Sequence, residues 1–201
     1  MIPATDTFGL KNQGLDVDSA VAMATEVIRD GAQTNFPVQV TIAVAFGCPF
    51  EGEVDLKQLL NTAQRLADAG PVELALADTI GVAVPTQVRE AFTQLKDKLG
   101  ELPLRAHFHD TRNTGIANAY ASLLAGVSVL DASIGGIGGC PFAPNASGNI
   151  ATEDLVYMLN RGGIAHGVEL AKLLDTASWL QEVLAKPLPS MMLKAGVFPP
   201  E

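Results

Sequence analysis

The sequence predicts an α/β fold, a partial TIM (β/α) barrel holding about five of eight strands, on three observations. Strand-like and helix-like segments alternate at intervals of roughly 30 residues, the signature of βαβ units on a parallel sheet. Aspartates recur where strand-like segments end, in ATDTFG (4–9), ADTIG (77–81), HDTRNTG (109–115) and DASIGG (131–136). A closed barrel gathers such ends into one ring, where parallel α/β sheets carry their chemistry. No G-x-G-x-x-G opens the first βα turn, so an open dinucleotide-binding sheet is the weaker alternative.

The elements follow in order. IPATDT, at the start, reads as the stub of a strand. Residues 16–32 place Val17, Ala20, Val21, Ala24, Val27 and Ile28 at helical spacing. VQVTIAVAF (38–46) is short and β-branched, as a strand should be. Leu56, Leu59, Leu60, Ala63 and Leu66 give a helix over 54–70, and VELALADT (72–79) returns to strand. The helix over 85–100 opens with Pro85 and closes with Gly100, the expected first-turn and post-helix residues. LRAHFHDT (104–111) is a strand, 113–126 a helix and VSVLDASIG (127–135) a strand. Helices over 151–163 and 168–186 complete the pattern. Residues 1–186 thus read as the C-terminal portion of a barrel, with a C-terminal helical extension, and 187–201, with four prolines, as an irregular tail. A full barrel needs eight strands and about 250 residues, so roughly three βα units are expected to be missing ahead of Met1.

Composition bounds the partners. With 201 residues, 48% of them hydrophobic, the chain suits one domain with a real core. A net charge of −9 without any basic cluster disfavours nucleic acid. No apolar run reaches the length of a membrane span, and the first residues lack the regions of a signal peptide. Two cysteines far apart, Cys48 and Cys140, suggest free thiols and a cytoplasmic protein.

Two segments carry candidate chemistry. In RAHFHDT, side chains two apart in a strand point the same way, so His107 and His109 share a face and Phe108 takes the other. The pair is either the start of a metal site or two buried histidines bonded to backbone or to Asp110. In GGIGGCPFAPNASGN (135–149), glycines give backbone freedom, Cys140 sits at the tip, and Asn149 precedes the next helix. Long glycine-rich loops at a barrel mouth are usually functional; a surface loop with a passive thiol is the alternative.

GCPFEG (47–52), ADTIGV (77–82), HFHDT (107–111), GVSVLDASIGGIGGCPFAPNASGN (126–149) and ATEDLVYML (151–159) resemble the hydroxymethylglutaryl-CoA lyase family. That family lies within a larger group of barrel metallolyases that also includes isopropylmalate synthases. The likeness implies that His107, His109 and Asn149 ligate a metal. It implies catalytic parts for Cys140, His107 and Asp78. The cation would be Mg²⁺ or Mn²⁺; mixed nitrogen and oxygen donors suit these, with Zn²⁺ possible. The implied reaction is a retro-Claisen cleavage of 3-hydroxy-3-methylglutaryl-CoA to acetyl-CoA and acetoacetate. The implied partners are an acyl-CoA substrate and a second copy of the chain in a dimer, with neither nucleic acid nor membrane. The family's early arginine–aspartate motif, which would add a ligand and an oxyanion-stabilising arginine, has no match. Arg112 follows HDT where many members carry an aromatic residue.

Three other readings stay open: an inactive barrel remnant or assembly module needing a separate N-terminal piece, a related acyl-CoA lyase, and a condensing synthase, against which the cysteine-bearing loop argues. Asp6 and Asp131 are expected to cap or turn the chain rather than orient histidines, and His166 to be structural or solvated. Cys48 either packs in the core or lines the mouth.

Overall fold

The computed structural model describes residues 1–139 and 148–199. The elements are β1 (Ile2–Pro3), α1 (Asp6–Gln13), α2 (Val17–Gln33), β2 (Gln39–Ala43), α3 (Leu56–Ala67), β3 (Glu73–Asp78), α4 (Pro85–Leu99), β4 (Leu104–Phe108), α5 (Gly115–Leu124) and β5 (Val129–Asp131). A 3₁₀ turn (Ile134–Gly136) follows, then α6 (Thr152–Arg161), α7 (Leu170–Leu184) and α8 (Met192–Ala195). Five strands pair in parallel in chain order, so β1 and β5 each have one unpaired edge. The architecture is the α/β, part-barrel arrangement that the alternation of segments predicts.

Helix starts follow local chemistry. Asp16 accepts a hydrogen bond from Ser19 N (2.8 Å) at the start of α2, and Asp55 accepts one from Gln58 N (2.9 Å) at the start of α3. The apolar faces of the helices then close over one side of the sheet. Leu74, Leu76, Leu104, Ala106 and Phe108 meet Leu59, Leu66, Val88, Phe92 and Leu95 in a single buried cluster. Phe46 bridges Phe92 and Phe108, with ring centroids 6.4 and 6.3 Å away.

Register decides what the other side of the sheet carries. Ala75 pairs with Arg105, Ala77 with His107, and His107 with Asp131. Paired residues on neighbouring strands share a face, so Glu73, Ala75, Ala77, Arg105, His107 and Asp131 line the side turned away from the helices. Asp78 pairs with Phe108 and belongs to the helix side.

Three details differ from the sequence reading. The stub at the start is a two-residue strand followed by a helix, α1. Gly9 hides that helix from periodicity; a Cβ there would lie 2.3 Å from Leu15 O, so only glycine lets the helix pass. β2 ends early because Val44 turns to φ 50° and its N–H goes to Thr79 Oγ1 (2.9 Å) instead of the ladder. The tail contains the single turn α8, pinned where Asp154 accepts from Ser190 Oγ, Met191 N and Met192 N. No helix among the described residues is long and apolar enough to cross a membrane.

Candidate functional site

β4 delivers the two histidines to one place. Their rings lie 5.3 Å apart between centroids, tilted by 59°. His109 lies just past the strand and is buried, whereas His107 keeps 27% of its side chain exposed. Burial first, and the neighbouring His107 second, push the His109 pKa from 6.5 down to about 4. The ring is therefore neutral at neutral pH, with a lone pair to give.

The chain then returns to meet them. Asp110 N donates to Gly148 O (2.9 Å), Ile150 N to Phe108 O (3.2 Å), Ser133 N to Ile150 O (3.1 Å) and Thr152 N to Ser133 O (2.9 Å). Residues 148–152 are thus wedged between the ends of β4 and β5. Asn149 forms an antiparallel bridge with His109, and residues opposed in this way place their Cβ atoms about 5 Å apart on one face. Gly148 (φ +111°) makes the wedge possible, since a Cβ there would meet Gly138 O at 2.2 Å. Asn149 Nδ2 donates to Ile137 O (2.9 Å), which turns the amide and fixes its oxygen.

Among the described residues two buried atoms have no hydrogen-bond partner at this point, His109 Nδ1 and Asn149 Oδ1. Buried polar atoms are nearly always paired, so this imidazole nitrogen and amide oxygen, on opposed residues, could hold an electron-pair acceptor. Among the described residues no group of three or more His, Cys, Asp or Glu forms a metal-ligand cluster. The donors present, two imidazoles and an amide, fit a divalent cation that takes nitrogen and oxygen.

Behind His107 stands a carboxylate. Asp131 Oδ2 lies 3.4 Å from His107 Nδ1 and accepts from Arg105 Nη1 at 2.9 Å. Burial would raise the Asp131 pKa, but the contacts from His107 and Arg105 outweigh it and hold the carboxyl below its ordinary value. This corrects the structural part expected of Asp131. The signal was absent from the sequence because the contact depends on which strand lies beside β4.

The other candidates take other positions, although Asp78 O accepts from His109 N (3.3 Å). Cys140 lies outside the described residues. Asp78 is 1% exposed, and its two oxygens accept from Val82 N (2.9 Å) and Ala83 N (3.0 Å). Burial raises its pKa, against lowering by those amides and by Arg112. Asp110 Oδ1 accepts from Gly115 N (2.8 Å) at the start of α5, and Asp6 Oδ1 from Val17 N (2.9 Å) at the start of α2. Arg112 braces two loops through Nη1, which donates to Ile80 O and Gly81 O (3.0 and 2.9 Å). Cys48 is buried, with its sulfur accepting from Thr5 Oγ1 at 3.0 Å. His166 is half-buried and hydrogen-bonded to Asn160 and Val168 N. Glu153, fully buried, was not foreseen; both its oxygens accept from Gly135 N (3.0 and 3.1 Å) and anchor the base of the glycine loop.

Comparison with known proteins gives the family. The chain is 45% identical over 177 residues to the (R)-citramalyl-CoA lyase of Chloroflexus aurantiacus, covering 88% of this chain and 55% of that protein. It is 40% identical over 191 residues to the hydroxymethylglutaryl-CoA lyase YngG of Bacillus subtilis, covering 95% and 64%. An HMG-CoA lyase from Acinetobacter baumannii, solved with coenzyme A and 3-methylmalate, superposes with a TM-score of 0.94 at 35% identity, covering 100% of this chain and 65% of that one. The chain therefore spans between 55% and 65% of the length of these relatives. The profile of the HMGL-like family matches residues 1–180, and the chain belongs to that family.

Proposed function

We propose that this chain carries the metal-holding half of an acyl-CoA lyase active site, which cleaves a 3-hydroxy-3-methylacyl thioester of coenzyme A by a retro-Claisen reaction. One observation carries the reading: the unpartnered His109 Nδ1 and Asn149 Oδ1, opposed across a backbone bridge and flanked by His107. His107, His109 and Asn149 would hold a divalent cation, Mg²⁺ or Mn²⁺. Such an ion supplies Lewis acidity toward the substrate's hydroxyl and carboxylate oxygens, worth several kcal/mol.

The residues divide the remaining work. His109 stays neutral because it is buried. His107 directs Nδ1 toward Asp131 and its other nitrogen toward the site. When it takes the proton of the tertiary hydroxyl as general base, that nitrogen is off the cation, which His109 and Asn149 then hold. The C2–C3 bond then breaks, releasing a keto acid and the enolate of acetyl-CoA. Cys140 is assigned the proton delivered to the enolate carbon. Asp78 shapes the turn beside the site, in keeping with its two bonds to backbone N–H groups. A cytoplasmic setting, an acyl-CoA partner and a dimer go with this reading.

The relatives' names offer two substrates that differ by one methylene, HMG-CoA and (R)-citramalyl-CoA. A pocket separates such a pair by only about 1–3 kcal/mol. The test is to incubate the chain with each thioester and Mg²⁺ or Mn²⁺, following acetoacetate and pyruvate. The assay is repeated with an added polypeptide carrying the N-terminal strands of a relative. Release of either acid, abolished by His109→Ala, supports the proposal; no release in any combination, with no Mn²⁺ binding, overturns it. A second reading, an assembly module, is favoured by the unpaired edges of β1 and β5. It predicts activity only with the added polypeptide.

A further inference from the structure

Arg105 lies on β4 two residues before His107, on the same face, and nothing in the reaction calls for a guanidinium there. Its side chain crosses the sheet. Nη1 donates to both oxygens of Asp131 on β5 (3.2 and 2.9 Å), and Nη2 to Thr41 Oγ1 on β2 (3.3 Å). Nε stands 2.8 Å from Glu73 Oε1 on β3. This last pair is in ionic contact without hydrogen-bond alignment, since both atoms lack a hydrogen-bond partner. Arg105 is 19% exposed and Glu73 9%, so solvent screens the group poorly.

The consequence falls on His107. Asp131 Oδ2, which takes the shorter of the Nη1 bonds, is also the atom facing His107 Nδ1 at 3.4 Å. A carboxylate held there favours the tautomer with its proton on Nδ1, which leaves Nε2 unprotonated. Asp131 is 32% exposed even with Arg105 in place, so without that clamp it would be free to rotate toward water. We propose that Arg105 is a positioning residue: anchored by Glu73 and Thr41, it fixes Asp131 against His107 and so sets the imidazole nitrogen that faces the reaction. The inference rests on the lyase reading for its purpose, while the geometry it invokes is independent of that reading.

The test uses the whole chain without metal and reads the side-chain ¹⁵N–¹H correlations of His107, assigned by comparison with His107→Gln. In the wild type Nδ1 should show the shift of a protonated nitrogen and Nε2 that of an unprotonated one. Arg105→Met should average the two nitrogens toward a tautomer mixture. Arg105→Lys, which keeps the charge but not the fork, should restore the signature in part. Glu73→Gln should shift it in the same direction as Arg105→Met, by less, and covers the case in which Arg105→Met fails to fold. An unchanged His107 pattern in the folded variants overturns the proposal. Mn²⁺ titration of the same proteins separates the two ideas. The lyase reading fails if the wild type does not bind. The Arg105 inference expects affinity in Arg105→Met to fall by about tenfold, the lower end for an outer-shell partner.

Discussion

His109 occupies a position where a charged imidazole is disfavoured. Its pKa near 4 in the folded chain, against 6.5 unfolded, means that the unfolded chain binds the extra proton between those values. Stability therefore falls as the pH drops from 6.5 toward 4 and levels off below that. In the metal-free chain, urea unfolding at neutral pH and near pH 4.5 should show the wild type losing about 2 kcal/mol more than His109→Gln, after allowance for partial solvent screening. Asp78, raised by burial, gains a proton on folding and so works in the opposite sense, but it is common to both proteins. Equal losses would show that the imidazole is not the group responsible. Adding Mn²⁺ should raise the stability of the wild type alone, because an ion bound only by the folded chain shifts the equilibrium by mass action.

At the scale of elements, the glycine loop is held at both feet. Glu153 sits in the first turn of α6, where a helix N-terminus favours negative charge, and its oxygens take up Gly135 N. Glu153→Ala should cost about 2–4 kcal/mol, because it leaves a buried N–H unpaired and a hole beside it. Glu153→Gln, which still offers an oxygen, should cost less; denaturation midpoints of the two variants decide it. Gly148→Ala should cost about 1–3 kcal/mol through its positive φ and also weaken Mn²⁺ binding, since the clash with Gly138 O displaces Asn149. Much of this level was legible in advance. Pro85, Gly100 and the helical spacing of Leu59, Ala63 and Leu66 marked α3 and α4, and alternation placed His107 and His109 together. Arg105 was on that same face by the same rule. What it touches was not legible, because Thr41, Glu73 and Asp131 come from three other strands and are set by pairing order. Glu153 looked like a helix-start acid; its complete burial depends on the 3₁₀ turn above it.

Among the described residues the sheet is open, and its two end strands bear on how this chain behaves in solution. Unpaired edge groups on β1 and β5 recruit other strands unless something covers them. Sedimentation velocity of the isolated chain should show association that grows with concentration, and Val129→Lys, a charge on the β5 edge, should reduce it. A monomer at every concentration would mean that the edges are already shielded. The wedge of residues 148–152 bears on a different question, how such a protein changes its preferences over time. Its backbone bonds to Phe108, Asp110 and Ser133 hold Asn149 in place, while Glu153 separately secures Gly135. Those anchorages rest on different partners, so a change that loosens Gly135 can leave Asn149 at its address beside His109, and the two feet are free to evolve separately.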